Sequence, residues 1–523
     1  MDGTGSQQPP NQRGAFMPSV AFDNERYLAE QTAAILERVE QFEGKLYLEF
    51  GGKLTFDFHA ARVLPGYDPN VKMRLLQGLR DQIEVVFCVY SDDLERGRIR
   101  GDFGMTYDLA TLRAIDDLRD WGIATSALVL TRHSEGPASE RLARQVQSKG
   151  IAVYLHAEIP GYPNDVEFVV SEAGYGQNAY VETRAPIVVV TGTGPGSGKM
   201  STCLCQLYHD HRRGLDSGYA KFETFPIWNL PVEHPVNVAY EAATADLGDI
   251  VMVDSFHLEA YGETAVNYNR DIESFPLLKA IIDRIAADNG RSVPYQSPTD
   301  MGVNRTYSGI IDDALVREAS TQEVIRRYFR YSREVSQGLC PPQAVRRTEL
   351  LMARLGVSPT DRPVVTPAHE AAVDAEERQK GNDGFYCGAA LQLHDGTVVA
   401  GSNSTLLHSA SAALIKGIKH LAGIPAHIHL LPADVVGDLT ELKANYLGST
   451  SPSLNVQEVL IALGITAGSN PAARAGIEML PQLRGTQMHL THEPGTGDEN
   501  GLRKLGISMT TDARATSTGY FLR

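Results

Sequence analysis

From Asn24 onward, short uninterrupted apolar runs alternate with amphipathic stretches of helical period. Residues 24–41 repeat their apolar positions at helical spacing, and Lys45–Phe50 (KLYLEF) reads as a strand running into Gly51-Gly52-Lys53. Leu75 to Leu79 is helical, Glu84–Tyr90 (EVVFCVY) is a buried strand, and a helix over 107–120 leads to a strand over 124–131. A helix at 138–148, a strand at 152–156, the run Ile187–Val190, a strand at 219–225 and the strand Ile250–Val253 follow in order. Strands that lack polar alternation are covered on both faces, as in parallel sheets with crossover helices. The predicted fold class is α/β, a doubly wound and mostly parallel sheet.

The pattern changes towards the C-terminus. Residues 273–286 and 312–356 read as helical, and 358–384 is rich in proline and charge, as a linker or a short helical excursion would be. Ala389–Val399 (AALQLHDGTVV) reads as a hairpin turning at Asp395-Gly396. Helices at 409–422, 455–467 and 470–483 and a strand near 486–491 then suggest a smaller α+β domain. The expected division is a disordered tail at 1–20, an N-terminal α/β unit at 21–185 and a P-loop-like nucleotide-binding unit with a helical extension at 186–340. A helical linker at 341–384 and the C-terminal α+β domain at 385–523 complete it.

The segment IVVVTGTGPGSGKMST, residues 187–202, carries the most chemistry. An apolar strand stops in a glycine loop and a lysine opens the next amphipathic stretch. Glycines let successive N–H groups curl towards phosphate oxygens, the helix N-terminus adds partial positive charge, and Lys199 adds a full one. Gly192, Thr193, Gly194, Gly196, Ser197, Gly198, Lys199 and Ser201 are therefore the expected phosphate-binding residues. The loop is one residue longer than G-x4-GK-[ST], and Met200 stands where a hydroxyl usually reaches Mg²⁺. A tight strand-to-helix turn is the plain alternative.

Composition narrows the partners. Sixty-four acidic against 48 basic residues leave a net charge of −16, which repels a phosphate backbone, so no nucleic-acid partner is expected. No run approaches the length of a bilayer span, and the polar start MDGTGSQQPPNQRGAFMPSV does not resemble a signal peptide. A soluble, cytoplasmic protein without a membrane partner is expected. Five scattered cysteines exclude a disulfide framework.

The lengthened loop, with Gly218-Tyr219-Ala220-Lys221 opening the next strand, resembles dethiobiotin synthetase and its relatives, in which ATP activates a carboxylate. From about Ala21 to its end the chain also resembles a bacterial family of uncharacterised proteins, of the domain-of-unknown-function type and about this size. The segments KLYLEFGGKL, HAARVLPGY, GPGSGK, GYAKFETFPIWNLP, HPVNVAYEAATADL, NYNRDIE and SPTDMGVN carry that likeness. Some of those relatives have been labelled ATP-dependent zinc proteases. The label draws no support from His369-Glu370-Ala-Ala-Val373, which lacks the second histidine of a zinc helix, and no zinc is expected.

Four further clusters could join the loop in one cleft. Lys53, His59 and Arg62 follow a strand end and could grip an anionic substrate, or cap and pair on a surface helix. Lys221 and Glu223 share one strand face, as ligands or as mutual neutralisers. Asp254 ends an apolar strand, where P-loop proteins hold Mg²⁺, with His257 as a base and Glu259 as a second carboxylate; helix capping competes as an explanation. Arg270 lies in a polar segment suited to a cleft loop.

The expected function is an ATP-dependent enzyme, a ligase, synthetase or phosphotransferase, that uses Mg²⁺ to transfer a phosphoryl group to a small anionic metabolite or to activate it. Lys199, Lys221, Glu223, Asp254 and His257 would be catalytic. Lys53, His59, Arg62 and Arg270 would hold substrate, and Asp254 and Glu259 the metal. The alternative is a nucleotide- or phosphometabolite-binding regulatory protein without turnover. A homo-oligomer is expected through the C-terminal domain, where helix 409–422 presents Ala412, Ala413, Ile415, Leu421 and Ala422; burial on its own hairpin is the competing outcome.

Overall fold

Uninterrupted apolar runs become the strands of a seven-stranded sheet in the computed structural model, which describes residues 20–42, 44–100, 105–287, 293–382, 384–448 and 451–515. The expected tail therefore lies outside the described residues, apart from Val20. The described residues form two units, 20–320 and 321–515.

In the first unit the strands are β1 (Lys45–Phe50), β2 (Ile83–Tyr90), β3 (Thr125–Thr131), β4 (Ala152–Leu155), β5 (Ile187–Gly192), β6 (Ser217–Phe222) and β7 (Gly302–Val303). They are ordered β7-β6-β1-β5-β2-β3-β4, and every pairing is parallel. Both faces are covered, which explains the missing polar alternation. Leu46, Leu48, Val85, Phe87, Leu128 and Val189 pack on one face with Ile35 of α1 (Asn24–Glu40) and Ile115 of α2 (Tyr107–Asp120). Tyr47, Val86, Val129, Val188 and Val190 pack on the other with Leu204 of α3 (Lys199–Arg212) and Ile281 of α4 (Asn269–Ala287).

The chain runs from β1 outward through β2, β3 and β4, then returns to insert β5 between β1 and β2. It continues to β6 and β7 on the far side of β1. Strands expected in separate N-terminal and P-loop units thus interleave in one sheet. The reversal of direction at β1 and β5 is the kind of switch point beyond which open parallel sheets bind ligands.

One expected sheet strand lies elsewhere. Val251–Val253 pairs only with Val266–Tyr268, antiparallel, in a two-stranded ribbon. Met252 and Val253 are 44% and 40% exposed, so the apolar run there is not a core signature.

The second unit holds a mixed sheet of β8 (Gly388–Gln392), β9 (Val398–Ser402), β10 (Gln487–Leu490) and β11 (Ser508–Thr511), ordered β9-β8-β10-β11. The β8–β9 pair is the expected hairpin, with Gly396 at φ +83° in its turn. The segment read as a linker contains α5 (Val365–Glu377), whose Val364–Ala368 end packs on Ala390 of β8, so it belongs to this unit's core. On the other sheet face, α6 (Ser409–Leu421) buries Ala410, Ala413, Leu414 and Ile418 against Ala389 and Leu391. Ala413 is fully buried and Ile415 and Leu421 are partly buried against the same core, so this helix is no free oligomer surface. Its small residues allow close approach to its own hairpin: a Cβ on Gly401 would lie 2.4 Å from the Ala413 nitrogen.

Among the described residues, no helix is long and apolar enough to cross a membrane.

Candidate functional site

The strand β5 ends at Gly192 and α3 begins at Lys199, so the glycine loop joins a parallel strand to a helix at the carboxyl edge of the sheet. Gly196 and Gly198 adopt φ of +74° and +87°. At Gly198 a Cβ would also sit 2.7 Å from Thr131 Cγ2, so glycine is required there on two counts. Thr131, ending β3, donates from its hydroxyl to the Ser197 carbonyl at 2.9 Å. The next residue, Arg132, has φ +44°, stacks its guanidinium 3.4 Å above the Tyr90 ring and donates to the Gly196 carbonyl at 2.5 Å. Lys199 Nζ folds back to 3.5 Å from the Gly194 carbonyl, a weak contact. Two cations thus border the loop. Inside it, Thr193 Oγ1 and Ser197 Oγ are buried with no hydrogen-bond partner.

The hydroxyls after Lys199 have neighbours of their own. Thr202 Oγ1 accepts from the Cys88 thiol at 3.4 Å, Ser201 lies beside the Tyr162 and Tyr175 phenols, and Met200 packs on the core. Ser201, expected among the loop's binding residues, is directed to those tyrosines.

A second cluster forms at the ends of β6 and β1. Lys221 Nζ lies 2.8 Å from Glu223 Oε1, 2.6 Å from Asp271 Oδ2 and 5.4 Å from the centre of the Tyr268 ring. Glu49 of β1 is register-paired with both Lys221 and Val190, and it accepts from the Tyr219 hydroxyl at 2.7 Å. Burial opposes the Lys221 charge, but Asp271, Glu223 and Glu49 outweigh it and hold the ammonium above its ordinary value. Burial raises the Glu223 carboxyl to about 8, with Lys221 pulling down and Asp271 and Glu49 pushing up. Three carboxylates therefore surround one ammonium. The charge of Lys221 is spent on Asp271 and Glu223, which matches mutual neutralisation, one of the two roles open to Lys221 and Glu223.

This cluster borders the loop. Burial pushes the Cys88 thiol up to about 12, and both Lys199 and Glu49 act on it from nearby. On its other side, Tyr268 donates to the Phe225 carbonyl at 2.6 Å and meets the Tyr240 hydroxyl at 2.9 Å. The His59 ring stands edge-on to Phe225 at 5.3 Å and to Tyr240 at 6.0 Å. Lys53, His59 and Arg62 follow the end of β1, in or just before the helix Phe58–Val63, which Asp57 caps while pairing with Lys72 at 2.9 Å. The ends of β5, β1 and β6 are adjacent in the sheet, so these residues share one edge.

Four expected residues stand apart. Asp254 is fully buried and accepts four hydrogen bonds, from the Phe256 and His257 amides at the N-terminus of the helix Ser255–Tyr261 and from the amide and hydroxyl of Thr299. It is a saturated helix cap on the two-stranded ribbon, which leaves no lone pair for Mg²⁺. His257 Nδ1 meets Ser297 Oγ at 3.1 Å, and Glu259 is exposed. Arg270 is held bidentately by Asp249, at 2.6 and 2.8 Å.

The sequence of this site has close relatives. The family described as "Domain of unknown function DUF1846, N-terminal" matches residues 20–356, and its C-terminal counterpart matches 360–521. The chain belongs to the DUF1846 family. A UPF0371 protein of Clostridium botulinum (strain Kyoto / Type A2) is 49% identical over 503 residues, covering 96% of this chain and 99% of that protein. A UPF0371 protein of Clostridium tetani (strain Massachusetts / E88) is 48% identical over 502 residues, with the same coverage. The N-terminal DUF1846 match contains every residue of the loop and of the Lys221 cluster.

Sequence reasoning missed three residues that border these clusters: Glu49, Thr131 and Arg132. Glu49 did leave a signal, a lone carboxylate inside an apolar strand, and Arg132 stands where β3 ends. Asp271 closes the polar segment that also holds Arg270; its contact with Lys221, a residue 50 positions away, is what the sequence does not show.

Proposed function

We propose that the chain is a nucleotide-dependent enzyme that binds the phosphate chain of ATP at Gly192–Lys199 and activates or phosphorylates a small anionic metabolite. The observation that carries this reading is the pair of orphaned buried hydroxyls, Thr193 Oγ1 and Ser197 Oγ, in a glycine loop bordered by Lys199 and Arg132. Buried polar groups are seldom left unpaired, and phosphate oxygens would satisfy both hydroxyls as well as the N–H groups at the start of α3.

The residues divide the work by charge. Lys199 and Arg132 would exchange their contacts to loop carbonyls for phosphate oxygens and stabilise charge that develops during transfer. With Asp254 spent as a cap, Glu49 is the better candidate to hold Mg²⁺, directly or through water. The acceptor would lie past the end of β1, near Lys53, His59 and Arg62. Glu223, with its raised pKa, suits proton transfer near neutral pH, and Lys221 would fix its position.

A regulatory protein that binds nucleotide or phosphometabolite without turnover is the second reading, favoured by the absence of a metal-reaching hydroxyl beside Lys199. Calorimetry with MgATP on the intact chain and on Lys199→Ala tests the loop: unchanged affinity in the variant defeats the loop as a nucleotide site in either reading. A thermal-shift comparison of nucleotides with phosphorylated metabolites then identifies the ligand, since about 100 times its dissociation constant stabilises by roughly 2.7 kcal/mol. Release of ADP or AMP in the presence of an acceptor separates enzyme from regulator.

A further inference from the structure

The second unit brings together three side chains that the sequence scatters. His369 lies on α5, His489 in β10, and Asp512 just past the end of β11. One ligand atom from each falls within 4.8 Å of the others. His369 Nε2 is 2.8 Å from Asp512 Oδ2, and His489 Nε2 is 3.3 Å from Asp512 Oδ1. Each carboxylate oxygen thus faces one imidazole.

The His489 ring is held in place by its neighbours. Its Nδ1 lies 3.0 Å from Thr510 Oγ1. That oxygen accepts from Arg362 Nε at 3.1 Å and turns its own proton to the Met488 carbonyl at 3.4 Å. Thr510 thus holds the Nδ1 side of the ring, and Nε2 is the ring atom that faces Asp512. The His489 side chain is 0% exposed, and its Nε2 makes no hydrogen bond. A buried ring nitrogen therefore faces a carboxylate oxygen at 3.3 Å, and in the tautomer with its proton on Nδ1 both atoms present lone pairs to the same point. A cation bound there takes both atoms, and a partner on the other ring nitrogen, as Thr510 is here, is what ligating histidines have in metal sites.

We propose that His369, His489 and Asp512 form a binding site for a divalent transition-metal ion, with Zn²⁺ as its probe. Two imidazole nitrogens and one carboxylate oxygen suit zinc and its first-row neighbours, and leave coordination positions open. Magnesium and calcium, which prefer all-oxygen surroundings, fit the set poorly. The His369 and Asp512 side chains are 46% and 29% exposed, so an ion and its waters can enter from solvent. Arg362 is the opposing charge; it stands behind Thr510 and lowers the expected affinity without blocking the ligand atoms. The sequence expectation of no zinc considered only the helix around His369. Its partners come instead from β10 and β11, beyond the reach of a local motif.

The test is a ZnCl₂ titration, by calorimetry, of the full chain stripped of metal by chelation. Wild type is compared with His369→Ala, which truncates a surface side chain, and with the near-isosteric Asp512→Asn. A single zinc per chain, weakened about tenfold or more in both variants, is expected. Visible Co²⁺ absorption bands that appear in wild type and vanish in the variants give a second readout, independent of activity. Absence of zinc binding by the wild-type chain overturns the proposal, as does binding that both variants leave unchanged.

Discussion

Lys221 and Asp271 meet at 2.6 Å across 50 residues of chain, and this pair keeps three carboxylates together at the end of β6. Replacing Lys221 by Met keeps the aliphatic stem but removes the only ammonium in the cluster. Asp271 and Glu49 would then be left without a counter-charge where water reaches them poorly. Breaking a buried ion pair from one side is costly because the remaining charge stays uncompensated, although the 23% exposure of the Lys221 side chain moderates the effect. Lys221→Met is expected to lose about 2 kcal/mol or more in urea denaturation. Asp271→Asn should cost less, since it removes one of the competing negative charges. Equal stability of wild type and Lys221→Met would show that the cluster does not need its cation.

The same cluster sets a pH dependence. The folded-state pKa of Glu223 is raised, to about 8, above the ordinary carboxylate value of 4.5. The folded chain then binds more protons than the unfolded chain between those values, so this contribution to stability is complete below the ordinary value and is lost as pH rises through the folded one. Stability measured in urea is expected to fall from pH 5 to pH 8.5 in wild type, and Glu223→Gln should flatten that part of the profile. A profile identical in the two proteins would place the titration on another group.

How far the sequence reveals this site depends on how local each feature is. Strands buried on both faces must be continuously apolar, so β1, β2, β3 and β5 are legible one by one, and the loop after β5 follows from its glycines. Strand order is not legible, because the insertion of β5 between β1 and β2 depends on which edges pair. Val251–Val253 shows the limit of the apolar rule: the same composition yields a half-exposed ribbon strand. Asp254 follows from this, since a carboxylate after a strand marks a ligand site only if the strand belongs to the main sheet. Lys221 with Asp271 and His369 with His489 and Asp512 are contacts between distant segments, which no spacing encodes.

Asp254→Ala separates a cap from a metal ligand. The carboxylate satisfies the first amides of the helix Ser255–Tyr261 and ties that helix to Thr299, so its removal leaves buried donors unpaired. A loss of about 2 kcal/mol is expected, at the upper end for a cap. MgATP affinity by calorimetry should match wild type. A sharp loss of Mg²⁺-dependent affinity at unchanged stability would restore Asp254 to the metal.

Gly388 provides the corresponding test in the second unit. A Cβ added there would lie 1.9 Å from the Ala368 carbonyl oxygen and 2.8 Å from the Ala372 nitrogen, both backbone atoms of α5. No side-chain rotation relieves such a contact; either α5 lifts from β8 or the strand bends. The Gly388 carbonyl also accepts from the Thr491 amide at 3.0 Å, which restrains the strand from the other side. Gly388→Ala should therefore cost about 1–3 kcal/mol, the usual range for overpacking a filled core. Hydrogen exchange should locate the loss in Val365–Glu377 and in β8, while the amides of β1 and β5 keep their protection. Unchanged exchange across α5 would mean that this helix does not seat on the sheet as closely as the Gly388 contact requires.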